Sequence, residues 1–151
     1  SATKRKAEED EGLSSPSTVV AERARRDPPT ERLGDVVGAP AAATQAYEAA
    51  VEPMRERALY AELGVDGPRA VLIHGPTGCG KTLLARAVCG EVGAAYFEVS
   101  GADLASCADV DGETRALFAK ALAAAPAMVL LDDVDALWGA SSSATSSSSS
   151  S

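Results

Sequence analysis

The stretch Gly75-Pro76-Thr77-Gly78-Cys79-Gly80-Lys81-Thr82 constrains this chain more than any other, because it fits G-x-x-x-x-G-K-[ST] between an apolar run and a helical pattern. Its glycines let the backbone turn so that successive N–H groups point inward, and a helix start adds its positive end. Such a ring of donors holds a polyphosphate. Lys81 then brings a point charge to the β- and γ-phosphates, and the Thr82 hydroxyl is placed to ligate Mg²⁺. A random chain of this length would contain the pattern roughly once in 200 cases, before a strand ahead and a helix behind are demanded. The expected ligands are therefore a nucleotide, with ATP as the one to test, and Mg²⁺.

The flanking segments supply that context. Ala70-Val71-Leu72-Ile73-His74 predicts a buried strand that delivers the loop, and residues 81–92 predict a helix with Leu84 and Val88 one turn apart. Ala95 to Val99 predicts a second strand. A helix over about 111–124 follows, with Leu117, Phe118, Ala121 and Leu122 on one side, and Pro126 stops it. Met128-Val129-Leu130-Leu131 predicts a third strand ending in Asp132. Ahead of the loop, Ala46, Ala49, Ala50, Met54 and Leu59 share a helical face that Pro53 must kink or divide. This rhythm belongs to parallel βαβ units in an α/β fold, a sheet flanked by helices in three layers.

Composition limits the rest. The 151 residues carry 14 Lys+Arg against 22 Asp+Glu, a net charge of −8, and the isoelectric point near 4.6 argues against holding nucleic acid or anionic lipid by bulk charge. Any bound anion must be held locally. Cys79, Cys89 and Cys107 form no C-x-x-C pair, so neither a disulfide framework nor a zinc ribbon is indicated, and a cytoplasmic or nuclear location fits. No apolar run nears the roughly 18 residues that span a bilayer. Residues 1–30 mix charge runs with Ser and Pro and are expected to be a disordered leader, in which Lys4-Arg5-Lys6 is a weak nuclear-import candidate. Residues 31–140 form the expected folded part, and the serine-rich 141–151 a flexible tail.

Val129-Leu130-Leu131-Asp132-Asp133 has the form of a strand that delivers an acid at its carboxyl end. In a parallel sheet such an end lies beside the phosphate loop, which would let Asp132 face Mg²⁺ opposite Thr82. The plainer alternative is that Asp132, Asp133 and Asp135 cap the next helix. Beside Lys81 and Thr82 the metal role is favoured, and Asp135 keeps the cap.

Together these motifs resemble the AAA branch of the AAA+ ATPases, and within it the valosin-containing and nuclear valosin-containing-like group, from about Leu33 to Gly139. Asp35-Val36-Val37-Gly38 is similar to that family's D-I-G-G entry to the adenine pocket. Gly67-Pro68-Arg69-Ala70 resembles its P-P-R-G, His74 to Thr82 with Arg86-Ala87-Val88 its phosphate-loop region, and Leu131-Asp132-Asp133-Val134-Asp135-Ala136-Leu137 its I-D-E-I-D-A-L. The resemblance implies a P-loop NTPase fold and a hexameric ring that couples ATP hydrolysis to protein remodelling. Direct nucleic-acid binding is not implied. It assigns nucleotide contacts to Asp35, Gly38, Gly75, Pro76, Thr77, Gly78, Cys79, Gly80, Lys81, Thr82 and Leu83, metal contacts to Thr82 and Asp132, and catalysis to Lys81 and Asp133.

Three departures qualify the resemblance. Asp133 stands where the family has Glu, one methylene shorter, so slow turnover is expected, and a hydrolysis-poor module that organises a ring is the alternative. Between Ser100 and Glu113 the pore-gripping aromatic of relatives is missing, and Phe118 aligns with their helix Phe. The sequence also turns to serine after the third strand, without the family's polar sensor, arginine finger or helical lid. In this family the next strand inserts between the first and third. The expectation is therefore a fragment whose strand edges lack their central partner, marginally stable and nearly inactive alone. A P-loop small-molecule kinase fits poorly, since nothing supplies an acceptor site.

Overall fold

The computed structural model describes residues 19–137; Lys4-Arg5-Lys6, Trp138 and the serine-rich tail lie outside them. In chain order the elements are α1 (Val19–Arg23), β1 (Arg25–Arg26), a 3₁₀ turn (Leu33–Asp35), α2 (Pro40–Ala46), a π turn (Tyr47–Val51), α3 (Glu52–Arg55) and α4 (Arg57–Glu62). After the glycine-rich loop come α5 (Lys81–Val92), β2 (Ala95–Ser100), α6 (Gly101–Ala105), α7 (Val110–Ala123) and β3 (Ala127–Asp132).

Helix α5 begins and ends where glycine allows it. Gly80 at φ 87° turns the chain into the helix, and Gly93 at φ 66° closes it with its N–H on the Cys89 carbonyl. Leu84, Ala87 and Val88 form the buried stripe. Helix α7 is capped by Asp109, whose carboxylate accepts the Gly112 N–H at 2.9 Å.

β2 and β3 pair in parallel with Ala95 opposite Ala127 and Ser100 opposite Asp132. Because strand side chains alternate, Phe97 and Val99 enter one core while Tyr96 and Glu98 face the other way. The first core joins Ala21, Ala24, Phe97, Val99, Leu104, Leu117 and Ala121; the second joins Ala46, Val51, Leu84 and Val88. Full burial of side chains such as Phe97, Leu104 or Leu117 contributes about 1.5–3 kcal/mol each.

Four expectations are corrected. Residues 19–26 are not disordered: β1 pairs antiparallel with β2, Arg25 opposite Phe97, and Ala21 and Ala24 are buried. Their small side chains fit against β2 and α7 while Arg25 and Arg26 stay in water, so charge and burial coexist in one short segment. The sheet is consequently mixed rather than purely parallel.

The run 70–74 forms no strand. Val71 and Leu72 are exposed, and only Ile73 packs against the second core. An apolar run becomes a strand only with a ladder partner beside it, and none of the described residues pairs with 70–74.

On α7 the buried stripe is Glu113, Leu117 and Ala121, at i, i+4 and i+8, while Phe118 and Leu122 lie one residue round and are exposed. Pro53 does not divide the helix, and the distortion expected of it takes the form of a π turn just ahead. The proline occupies the first turn of α3, after a π turn in which the Glu52 N–H reaches the Tyr47 carbonyl, and the interruption falls at Glu56. Proline has no N–H and its ring crowds the carbonyl four residues back; one wide turn relieves both conflicts.

Candidate functional site

The glycine-rich loop runs from the exposed end of residues 70–74 into α5. Gly75, Gly78 and Gly80 have φ values of 156°, 81° and 87°, and the last two lie where other residues rarely go. The Cys79 N–H reaches the Pro76 carbonyl at 3.4 Å, and the Lys81 ammonium donates to the Gly75 and Pro76 carbonyls at 3.0 and 2.9 Å. Lys81 thus lies over its own loop, near enough to serve a group held there. Thr77 and Cys79 are exposed, and Leu83 is 40% exposed on the first turn of α5.

The decisive contact spans 50 residues: the Thr82 hydroxyl donates to Asp132 Oδ2 at 3.0 Å. The other carboxylate oxygen, Oδ1, accepts the Asp133 N–H at 3.0 Å, which fixes the plane of the group. Asp133 is exposed at φ 50°, a backbone region that Asp tolerates better than most residues. Asp135 is exposed at the start of the next helical turn.

The donor set suits a hard divalent cation. A hydroxyl and a carboxylate oxygen are ligands of the kind Mg²⁺ takes with substrate phosphates, whereas among the described residues no group of three or more His, Cys, Asp or Glu is gathered as a metal cage.

Asp35 is engaged elsewhere. Its carboxylate accepts the Arg32 N–H at 2.8 Å and closes the 3₁₀ turn, while Gly38, at φ 89°, leads the chain towards α2. No described hydrogen bond joins either residue to the loop. Sequence reasoning missed Glu91, which accepts the Leu33 N–H at 3.3 Å and pairs with Arg55 at 3.3 Å, tying the 3₁₀ turn and α3 to the far end of α5. It also missed Arg86–Glu98, where the guanidinium donates from two nitrogens to one carboxylate oxygen at 3.0 and 2.6 Å, locking α5 to β2. Periodicity gave no signal for either pair, since both partners sit on partly polar faces.

The family model described as "ATPase family associated with various cellular activities (AAA)" matches residues 71–151, more than half of the chain. The chain belongs to the AAA ATPase family. The chain is 41% identical over 87 residues to a protein carrying the name ribosome biogenesis ATPase nvl from Dictyostelium discoideum, covering 56% of this chain and 10% of that protein. It is 41% identical over 105 residues to a proteasome-activating nucleotidase of Aeropyrum pernix, covering 68% of this chain and 26% of the relative. An ATP-dependent zinc metalloprotease FtsH of Methylibium petroleiphilum is 43% identical over 108 residues, 70% of this chain and 17% of the relative. The chain therefore spans from a tenth to about a quarter of the length of these relatives. Membership accounts for the α/β P-loop fold, and no described helix is long and apolar enough to cross a membrane.

The three cysteines of this AAA chain occupy distinct surroundings. Cys79 is exposed, Cys107 is half-buried with its thiol on the Asp103 carbonyl at 3.3 Å, and Cys89 is buried. Burial, with Glu98 nearby, pushes the Cys89 thiol up to about 11. A folded-state value above the ordinary one means that Cys89 favours the fold below the ordinary thiol range and that this contribution is lost as pH rises towards 11. Under native conditions at pH 7.5, maleimide is expected to modify Cys79 first and Cys89 only after denaturation, read by mass spectrometry of timed aliquots. Early labelling of Cys89 would contradict its burial on the inner side of α5.

Proposed function

We propose that this chain is the nucleotide-binding part of an AAA ATPase, with Lys81, Thr82 and Asp132 holding Mg-ATP and Asp133 as the carboxylate that polarises the attacking water. The observation that carries this reading is the Thr82–Asp132 hydrogen bond, because it puts a hydroxyl and a carboxylate from distant motifs at one point beside the loop. Bound Mg²⁺ would offset phosphate charge there. The loop N–H groups and Lys81 would hold the phosphates, and Asp132 would keep the Thr82 oxygen oriented. Gly75, Pro76, Thr77, Gly78, Cys79, Gly80 and Leu83 would line the phosphate side, with Asp35 and Gly38 towards the base.

The family favours assembly with other AAA protomers in a ring, to which the remodelling of a protein substrate would be coupled. A cytoplasmic or nuclear site suits three cysteines without a pairing pattern.

Equilibrium titration with a fluorescent ATP analogue and Mg²⁺ tests the reading. Lys81→Ala is expected to weaken binding by about tenfold to a hundredfold, the range of a lost charge-assisted hydrogen bond. Equal affinity for both proteins would overturn the assignment.

A further inference from the structure

Gly101 is buried at the start of α6, directly after the Ser100 that pairs across the sheet with Asp132. A Cβ built on Gly101 would fall on the Asp133 carbonyl oxygen, 3.0 Å from the carbonyl carbon and 3.1 Å from the Val134 Cα. These are backbone atoms, so no side-chain rotation could make room. They belong to the turn that presents Asp132 and Asp133. Gly101 is not among the residues of positive φ, so its importance there lies in the missing side chain and not in backbone freedom.

We propose that Gly101 is a positioning residue for the acidic turn, setting how closely β2 and α6 approach the backbone behind Asp132 and Asp133. This rests on the reading that Asp132 serves Mg²⁺. Asp132 is held from two directions, by Thr82 on Oδ2 and by the Asp133 N–H on Oδ1. Pushing the Asp133 carbonyl outward rotates the peptide that follows it and drags on the N–H that precedes it. The carboxylate plane then turns away from Thr82. Ala102, the next residue along, is exposed and bears on no such contact.

The test is nucleotide binding by the full chain with and without Mg²⁺, using a fluorescent ATP analogue, on the unaltered protein, Gly101→Ala and Ala102→Ser. The unaltered protein and Ala102→Ser are expected to gain about tenfold or more in affinity with Mg²⁺, equivalent to about 1.4 kcal/mol, and Gly101→Ala less than about twofold. Without Mg²⁺ all three should bind alike, since the loop and Lys81 are untouched. That pattern is one that general loosening of the fold would not give. A full Mg²⁺ gain in Gly101→Ala overturns the positioning role, whereas no Mg²⁺ gain in the unaltered protein overturns the metal reading itself.

Should Gly101→Ala fail to fold, Gly101→Ala with Asp133→Gly decides, because glycine at 133 frees the turn to move aside while Asp132 is kept. Recovery of a cooperative thermal transition supports the contact at residue 133, and no recovery overturns it.

Discussion

With Asp133 as the proposed catalytic carboxylate, replacing it with glutamate is expected to raise ATP turnover about a hundredfold in the proposed ring assembly, because general-base catalysis contributes that order and a misplacement of about 1 Å can remove it. Asp133 is exposed directly after β3, and its N–H is held by Asp132 Oδ1, so the backbone that carries the side chain is anchored and reach is what a methylene changes. The backbone at φ 50° suits Asp better than Glu, so the same variant should lose about 1 kcal/mol of stability. A faster but slightly less stable protein is thus the expected result of phosphate-release assays and thermal melts. No gain in turnover would reject reach as the explanation and favour a module that binds nucleotide without useful hydrolysis.

The largest expected loss of stability follows from Glu113→Ala. Glu113 is only 2% exposed, and its Oε2 accepts the Ala21 N–H at 3.0 Å across 92 residues of sequence. Truncation would strand a buried donor in the first turn of α1 and leave a void beside Leu117. Together these cost about 3–5 kcal/mol. In a domain of this size that lowers the melting temperature by more than about 10 °C. Glu113→Gln keeps an acceptor of the same shape and should retain most of the stability. A melting temperature for Glu113→Ala within about 2 °C of the unaltered protein would show that α1 is not anchored through this contact.

The same residue shows where sequence reading stops. The boundaries of α5, β2, α7 and β3 followed closely from periodicity, glycine and proline, because each rests on local chemistry. The meeting of Thr82 with Asp132 was legible for a related reason: the motif spacing encodes a geometry. Residues 19–26 were not legible, since a charged pair of arginines at a sheet edge resembles a solvated leader until Phe97 and Glu113 are placed beside it. Residues 70–74 were misjudged for the opposite reason. Their apolar run states a preference for burial, but strand formation depends on a neighbour that local sequence does not contain. Phe118 and Leu122 show the same limit on a helix, where the polar Glu113 proved to define the inner face. Gly101 gave no signal at all, since its contact is with backbone brought in by the third strand.

The wide turn at Tyr47–Val51 bears on how positions are transferred between this chain and its relatives. Each residue of a regular α-helix advances about 100° around the axis, and one extra residue in a turn shifts everything beyond it by that angle. Val51, fully buried, and Ala46, five residues earlier, both belong to the second core, and the wide turn brings them closer to one face than 100° per residue would. Counting regular turns from Ala46 would instead leave Val51 about 140° away around the axis, at the edge of that face. A relative in which this segment is a regular α-helix would present a different side chain to the second core, even if the two sequences align without a gap.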